Sequence, residues 1–167
     1  MPCLPDRSRR ALLLGRKGAL TPLRPPWALT ESDFVEACTG CGACIERCPE
    51  RVLVRGAAGY AVFDPRLGEC TFCGDCADAC APRALDPAAV EAPWHTLAVA
   101  GDSCLTRHGV VCSSCRDACP ERAIAFPLST SVPMPLIDAA RCNGCGACVS
   151  VCPVAAIDLR PAQLEEA

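Results

Sequence analysis

Apolar positions in this chain come in short runs, and one pattern of such positions occurs four times. Each copy is a pair of small or branched apolar residues that lies four and five residues after a cysteine: Val52-Leu53, Ala84-Leu85, Ala123-Ile124 and Ala156-Ile157. In three copies that cysteine is followed directly by proline, which is well tolerated at the first position of a helix. We therefore predict a helical turn after each of these cysteines, with the branched residue facing inward.

Short stretches rich in β-branched and aromatic residues separate these turns. They lie at residues 52–54, 60–63, 124–126 and 135–137, and their length and composition are typical of short strands. We expect them to form small antiparallel hairpins. Thr30 and Ser32 are candidate caps for one helix, which would carry Phe34 and Val35.

The cysteines follow a repeated spacing that indicates which cofactor they bind. Three motifs have the spacing C-x2-C-x2-C-x3-C, and a fourth has the stretched form C-x7-C-x2-C-x3-C. In chain order they are motif 1 (Cys38, Cys41, Cys44, Cys48), motif 2 (Cys70, Cys73, Cys76, Cys80), the stretched motif 3 (Cys104, Cys112, Cys115, Cys119) and motif 4 (Cys142, Cys145, Cys148, Cys152). The regular spacing is that of bacterial ferredoxins, whose cysteines hold [4Fe–4S] clusters. We predict that all sixteen are metal ligands.

Two other uses of the cysteines compete with this prediction. Disulfides suit a secreted chain, but the total of seventeen cysteines is odd and cysteines three residues apart in one loop are poorly placed to bridge each other. Paired CxxC segments also suit zinc, but a zinc site has no use for the third and fourth cysteine of each motif. Iron–sulfur clusters explain the whole pattern.

The spacing also indicates which cysteines share a cluster. Glycines such as Gly42, Gly74 and Gly146 let the first three cysteines of a motif wrap around one cluster. The fourth cysteine of each motif ligates the other cluster in two-cluster ferredoxins. The predicted sets are Cys38, Cys41, Cys44 with Cys80; Cys70, Cys73, Cys76 with Cys48; Cys104, Cys112, Cys115 with Cys152; and Cys142, Cys145, Cys148 with Cys119.

Motif 3 leaves two possibilities open. Its loop is longer, and it lacks glycine between Cys112 and Cys115, where Ser113 and Ser114 lie. We expect four clusters, with the alternative that motif 3 is degenerate and that three clusters remain. About sixteen irons per chain would indicate four clusters, whereas about twelve would indicate three.

We predict an α+β fold with two tandem modules of the bacterial 2[4Fe–4S] ferredoxin type, built from short helices and small antiparallel hairpins. Proline-bearing residues 86–95 form the expected boundary between the modules. The predicted division is a basic Pro/Arg-rich, irregular N-terminal tail (1–30), module 1 (31–88), a linker (89–100), module 2 (101–160) and a C-terminal tail (161–167). With only seven aromatic residues, we also expect the cluster-free chain to fold poorly.

Charge divides the chain unevenly. The net charge is −3, yet residues 1–26 carry six basic groups and one acid, so that the remainder carries −8. This sign disfavours nucleic-acid binding by the body. The tail is either a solvated segment or a docking segment with weak membrane-surface contact. No apolar run is long enough for a transmembrane helix, and because no apolar region follows Arg9-Arg10, we expect a cytoplasmic protein that is not exported.

The other candidate residues have ordinary explanations. Cys3 lies outside every motif and is expected to be a free thiol. His95 and His108 lack metal-ligand spacing, although His108 falls inside the long loop of motif 3. Trp27 and Trp94 are expected to be hydrophobic anchors. We find no phosphate-binding glycine loop, no hydrolytic triad and no carboxylate pair, and therefore no catalytic residue; fully thiolate-ligated clusters also argue against an enzyme.

Several of these segments together identify a family resemblance. The chain resembles the NapF family, the ferredoxin-type accessory proteins of periplasmic nitrate reductase systems. The resemblance covers nearly the whole chain and rests on the stretched motif 3 together with Ser8-Arg9-Arg10, Arg24-Pro25-Pro26-Trp27, Gly101-Asp102-Ser103-Cys104-Leu105 and the loop 142–148. Motif 2 departs from the common form, because Ala81-Pro82 follows its last cysteine.

The resemblance implies a cytoplasmic protein that binds the molybdenum-containing catalytic subunit before export and helps it mature through a [4Fe–4S] cluster. The alternative is a plain electron-transfer ferredoxin that carries electrons from a redox donor protein to a reductase. An iron-store or redox-sensing role is a third possibility.

Overall fold

The computed structural model describes residues 22–128 and 132–161, which form a mixed α/β structure of short elements. The helices are α1 (Glu31–Ala37), α2 (Ala43–Arg47), α3 (Asp75–Asp78), α4 (Ser114–Asp117) and α5 (Ala147–Ser150), with one 3₁₀ helix at Leu105–His108. The strands are β1 (Leu53–Arg55), β2 (Ala61–Phe63), β3 (Thr96–Ala100), β4 (Ile124–Ala125), β5 (Leu136–Ile137) and β6 (Ile157–Pro161).

Helix α1 begins where the sequence predicts. Thr30 is its N-cap and accepts a hydrogen bond from the backbone N–H of Asp33 at 3.4 Å. Phe34 is almost completely buried, whereas Val35 on the other side of the helix is exposed. The helix therefore packs one aromatic side chain into the core directly before the first cysteine motif.

The four apolar pairs are buried, and the turn predicted before each of them is present as a single hydrogen-bonded turn that does not continue into a helix. After each motif the chain forms a single hydrogen-bonded turn, whose last residue, the third after the cysteine, is left-handed: Arg51, Arg83, Arg122 and Ala155 have φ between 47° and 55°. This conformation stops a helix from propagating, because right-handed turns need negative φ at every residue. The chain leaves the turn extended, so that the apolar pairs begin strands or pair with them.

Three antiparallel strand pairs hold the structure together. Strand β1 pairs with β2 and β4 pairs with β5, as the predicted hairpins require. The third pair, β3 with β6, aligns Ala100 with Ile157 and brings the beginning and the end of the second half of the chain together. An isolated bridge between Ala28 and Leu85 is the counterpart in the first half. The same arrangement therefore occurs twice, and β3 is a structural strand within the segment predicted as linker.

Residues 22–30 pack against the body, although the sequence places them in the tail. Pro25 and Pro26 are fully buried. The backbone N–H of Trp27 donates to the carbonyl of Pro93 at 2.6 Å, and that of Phe63 donates to Leu23 at 2.7 Å. Residues 1–21, with Cys3 and most of the basic groups, lie outside the described residues. Within residues 22–128 and 132–161, no helix has the length and apolar character needed to cross a membrane.

Candidate metal centres

Four cavities lie among these elements, and each is lined by four cysteines. We name them site I (Cys38, Cys41, Cys44, Cys80), site II (Cys48, Cys70, Cys73, Cys76), site III (Cys104, Cys112, Cys115, Cys152) and site IV (Cys119, Cys142, Cys145, Cys148). Their empty space is similar, from about 310 to 410 Å³ counting the part open to solvent. None of these sixteen cysteines forms a disulfide bond.

These four groups are the sets that the sequence pairs. In each site three cysteines come from one motif, and the fourth comes from the motif that follows or precedes it in the same half of the chain. The structure thus brings together every predicted ligand. That the thiols bind iron remains a prediction, which the following features support.

Left-handed glycines shape three of the four sites. Gly42, Gly74 and Gly146 cap the helices that carry the third cysteine, with φ of 88°, 88° and 90°. Only glycine takes this conformation at little cost. A Cβ at Gly42 would also lie 2.7 Å from Nη2 of Arg55. The chain can therefore turn tightly around the cavity before each helix begins.

Site III reaches the same geometry by another route. Ser113 stands at the helix-capping position with φ of −135°, so that no glycine is required there. The extra residues of the long loop form the 3₁₀ helix, which ends at the left-handed Gly109. The missing glycine, which raised the possibility of a degenerate motif, therefore reflects a different backbone path around a complete set of four cysteines.

Hydroxyl groups approach the sulfurs of site III. Thr106 is buried, and its Oγ1 lies 3.3 Å from Sγ of Cys104 and 3.3 Å from Sδ of Met134. Oγ of Ser114 lies 3.7 Å from Sγ of Cys112. His108 instead places Nε2 3.1 Å from the carbonyl of Asp102 and contacts no cysteine by hydrogen bond. Sequence reasoning missed Thr106; its spacing of two residues from Cys104 is the signal that was available.

Backbone N–H groups also point at cysteine sulfurs. Ala156 donates to Sγ of Cys152 at 3.1 Å, and Ala123 donates in the same way to Cys119 at 3.4 Å. Phe72 donates to Sγ of Cys70 at 3.4 Å. Such donors stabilise negative charge on sulfur. They suit thiolates that ligate a cluster, and they favour its more negative, reduced state.

Burial opposes ionisation of the inner thiols. Burial raises the pKa of Cys70 to about 11 and the pKa of Cys76 and Cys148 to about 12. In contrast, the exposed Cys41 has a lowered pKa, mainly because the backbone N–H of Ala43 hydrogen-bonds to its sulfur. Thiol ligands must lose their protons to bind metal. Bound iron supplies the positive charge that would keep these buried sulfurs ionised.

The sites fit a polynuclear cluster better than a single ion. Zinc needs its ligands at about 2.0 to 2.3 Å from one centre. In the described ranges, no three His, Cys, Asp or Glu side chains are arranged around one metal ion. Four thiols spread around a cavity match the ligand set of a [4Fe–4S] cluster, one sulfur for each iron.

Comparison with protein families supports this chemistry. Residues 37–85 match a "4Fe-4S dicluster domain", and residues 135–158 match a "4Fe-4S binding domain". The first match contains all eight cysteines of sites I and II, and the second contains the four cysteines of motif 4. Motif 3 lies outside both matches.

Curated relatives are similar over almost the whole chain. The ferredoxin-type protein NapF of Escherichia coli K12 is 42% identical over 91% of this chain and 93% of its own length. NapF of Haemophilus influenzae is 45% identical over 86% of this chain and 82% of its own length. The methylamine utilization ferredoxin-type protein MauM of Paracoccus denitrificans is 36% identical over 85% of this chain and 72% of its own length. The chain belongs to the family of NapF ferredoxin-type iron–sulfur proteins, which confirms the resemblance found in the sequence.

Proposed function

We propose that this member of the NapF family carries four [4Fe–4S] clusters and acts in the cytoplasm as a maturation factor for the catalytic subunit of periplasmic nitrate reductase. It would bind the precursor before export and supply or reduce its [4Fe–4S] cluster. The observation that carries the proposal is the gathering of sixteen cysteines into four sets of four, each around one cavity. When bound, the clusters supply one-electron chemistry and a store of iron and sulfide.

The number of clusters can be tested first. Anaerobically purified protein should contain about sixteen irons per chain. Replacing Cys104 and Cys112 together with alanine should remove about four of them, as should the matched double replacement of Cys38 and Cys41. If the first variant keeps the iron content of the unaltered protein while the second loses iron, site III is empty and the protein has three clusters.

The maturation role is supported by family membership and by charge. Residues 27–167 carry −8, and each oxidised cluster with four thiolates adds about −2. With four clusters, the body becomes strongly acidic beside a basic N-terminal segment. Such separation of charge suits docking to a partner with complementary patches, because opposite surface potentials guide association.

A transfer experiment tests the role directly. Holo-protein labelled with an iron isotope is mixed anaerobically with a cluster-free nitrate reductase catalytic precursor, and the two are then separated. Transfer of one cluster's label together with gained nitrate reductase activity would support donation. Activation without movement of label would support reduction or chaperoning. If neither occurs and the proteins do not associate, the maturation role is refuted.

Electron transfer to a reductase is the second candidate. The observation in its favour is that the cysteine loops of sites II and IV contact each other, since the backbone N–H of Cys70 donates to the carbonyl of Cys145 at 2.8 Å. Similar ferredoxin-type proteins are also named for methylamine utilization, so likeness to this chain is not confined to proteins named NapF. Failure of a physiological donor protein to reduce the clusters at a useful rate would count against this role.

Neither role requires an enzyme active site. A cluster that receives a thiolate at every iron has no open position for a substrate. We therefore propose a carrier or accessory protein, whose partners are the catalytic precursor and a redox donor. Activity towards a small molecule by the isolated holo-protein would contradict this assignment.

A further inference from the structure

We propose that sites II and IV form a built electron-transfer junction between the two halves of the chain, so that the four clusters make one continuous path in the order I–II–IV–III. The inference rests on the proposed function only in requiring clusters in the four sites. It adds a defined route, two end sites and a set of residues that hold the junction together.

The ligand loops of the two inner sites are hydrogen-bonded to each other. Cys70 belongs to site II, and Cys145 belongs to site IV. The backbone N–H of Cys70 donates to the carbonyl of Cys145 at 2.8 Å. Two cluster ligands from different halves are therefore linked by one short hydrogen bond between their own peptide groups.

Trp94 connects the same two loops through its side chain. Its Nε1 donates to the carbonyl of Asn143 in the loop of site IV at 2.8 Å. Its ring meets the ring of Phe72, in the loop of site II, edge to face with centroids 5.4 Å apart. It also packs on Phe63 with centroids 4.8 Å apart. An indole that binds both loops fixes their distance and orientation.

The loop of site IV is packed so closely at the junction that two of its positions have no room for a side chain. A Cβ on Gly146 would lie 2.9 Å from Cβ of Pro65 and 3.0 Å from Cζ of Phe63. A Cβ on Gly144 would lie 2.8 Å from Nε1 of Trp94. Real Cβ atoms do not approach other heavy atoms so closely, and packed interiors resist such insertions. Glycine at 146 therefore permits the contact of site IV with the first half, and glycine at 144 permits the approach of the Trp94 indole to the loop of site IV.

The backbone conformation of Phe72 supports the proposed junction. It has φ of 56°, at the position where motifs 1 and 4 have Gly40 and Gly144 with φ of 67° and 74°. A bulky residue in this conformation is strained unless its surroundings hold it there. The contacts of its ring with Trp27 and Trp94 supply that restraint. Phe72 therefore keeps this conformation while its ring packs against Trp94 at the junction.

Within each half, the neighbouring sites are joined by packed helices. Helix α2, which carries Cys44, packs against α3, which carries Cys76, so that sites I and II adjoin. Helices α4 and α5 pack in the same way and join sites III and IV through Cys115 and Cys148. Together with the junction, these contacts leave sites I and III as the two ends of the path.

The step along this path moves one electron and no atoms. A reduced cluster loses one electron and returns to its oxidised state, while the neighbouring oxidised cluster gains that electron. The first electron comes from a low-potential reductant, for which dithionite serves in the experiment. No proton transfer or bond rearrangement is needed for charge to balance.

Electron paramagnetic resonance of dithionite-reduced protein tests the junction through magnetic coupling between clusters. Cys41→Ala with Cys112→Ala leaves the inner pair, sites II and IV. Cys73→Ala with Cys142→Ala leaves the outer pair, sites I and III. Both variants should retain about eight irons. We expect a split, coupled spectrum from the inner pair and two isolated signals from the outer pair. Isolated signals from an inner pair that holds its iron would overturn the proposal.

A second comparison uses protein with all four sites intact, in case a cysteine variant loses a neighbouring cluster. Trp94→Ala should lose the part of the coupling that crosses the junction at unchanged iron content. Trp27→Ala removes the other indole that packs on Phe72 but should keep that coupling. Identical spectra for the unaltered protein and Trp94→Ala, at full iron content, would refute the junction. Low iron in the unaltered protein would instead contradict the cluster assignment of the proposed function.

Discussion

Arg24 offers a quantitative test of how residues 22–30 are held to the body. Its guanidinium donates two hydrogen bonds to the carboxylate of Glu31, at 2.6 and 2.8 Å, and a longer one to the carbonyl of Ala61 at 3.3 Å. Its Cζ also lies 4.6 Å from the ring centroid of Phe34 and 5.5 Å from that of Tyr60. The change Arg24→Ala removes all of these contacts at once.

The magnitude follows from how exposed each contact is. The side chain of Glu31 is 50% exposed, so solvent screening limits the ion pair to about 0.5 kcal/mol. The cation–π contacts are better shielded, because the side chain of Arg24 is only 14% exposed, and contribute about 1 kcal/mol. With the packing of its aliphatic stem, Arg24→Ala should cost about 1.5 to 2 kcal/mol in the free energy of unfolding.

Anaerobic thermal unfolding followed by circular dichroism measures this cost. Scans are compared at one fixed rate, and samples are reheated to verify that unfolding is reversible, since only then does Tm report the free energy of unfolding. For a chain of this size the expected fall in Tm is about 3 to 8 °C. Glu31→Gln keeps the ring contacts and should lower Tm by about 1 to 2 °C. The control Arg66→Ala breaks an exposed pair with Asp64 and should stay within about 1 °C of the unaltered protein.

The result that would refute this reasoning is equal loss in Arg24→Ala and Glu31→Gln, since the rings would then contribute nothing. A pH series adds a second check. The hydrogen bond from Arg24 lowers the pKa of Glu31 from its ordinary value of 4.5. The contribution of the pair is therefore complete above pH 4.5 and is lost as pH falls through the lowered pKa. Between pH 6 and 8 the difference between the unaltered protein and Arg24→Ala should be constant.

Three further predictions concern the metal sites. Thr106→Val removes the hydroxyl beside Cys104 and should lower the reduction potential of site III alone, as measured by redox titration with spectroscopy; an unchanged potential would show that the hydroxyl does not donate to that sulfur. Because the pKa values of Cys76 and Cys148 are raised to about 12, cluster assembly at pH 8 should release protons, seen as acidification of a weakly buffered sample; constant pH would contradict protonated apo thiols. In Gly42→Ala the new side chain is placed on a backbone with a left-handed φ of 88° and clashes with the guanidinium of Arg55. Loss of iron to a chelator should therefore be faster than in the unaltered protein, whereas an equal rate would show that the loop adapts.

Local rules account well for the metal sites and less well for what surrounds them. The spacing of the cysteines is enough to group all sixteen, because a fixed ligand count and a short loop leave few arrangements. The sequence predicts a turn after each motif, but it does not show that a left-handed residue two positions after the proline, such as Arg51 after Pro49, limits the helical segment to that one turn. Arginine gives no local sign of that conformation.

Long-range contacts were beyond the reach of pattern reasoning. Strand β3 pairs with β6 across almost sixty residues, and neither five-residue segment carries a signal that specifies its partner. Phe72 was not singled out either, because it looks like an ordinary aromatic residue within a CxxC segment. The role proposed for Phe72 depends on its contact with Trp94. Trp94 lies outside motif 2 in the sequence and packs against Phe72 only in the folded chain.

Site III shows why departures from a repeat need a structural explanation before they are read as decay. Its long loop and its serines break the pattern of the other three motifs, and it lies outside both of the family matches given above. Yet four thiols line its cavity, Ser113 has no need of glycine, and Thr106 is buried against Cys104. The buried hydroxyl of Thr106 lies between Sδ of Met134 and Sγ of Cys104, which places a potential hydrogen-bond donor beside a predicted ligand sulfur. These features fit an end site whose potential is adjusted separately from the other three.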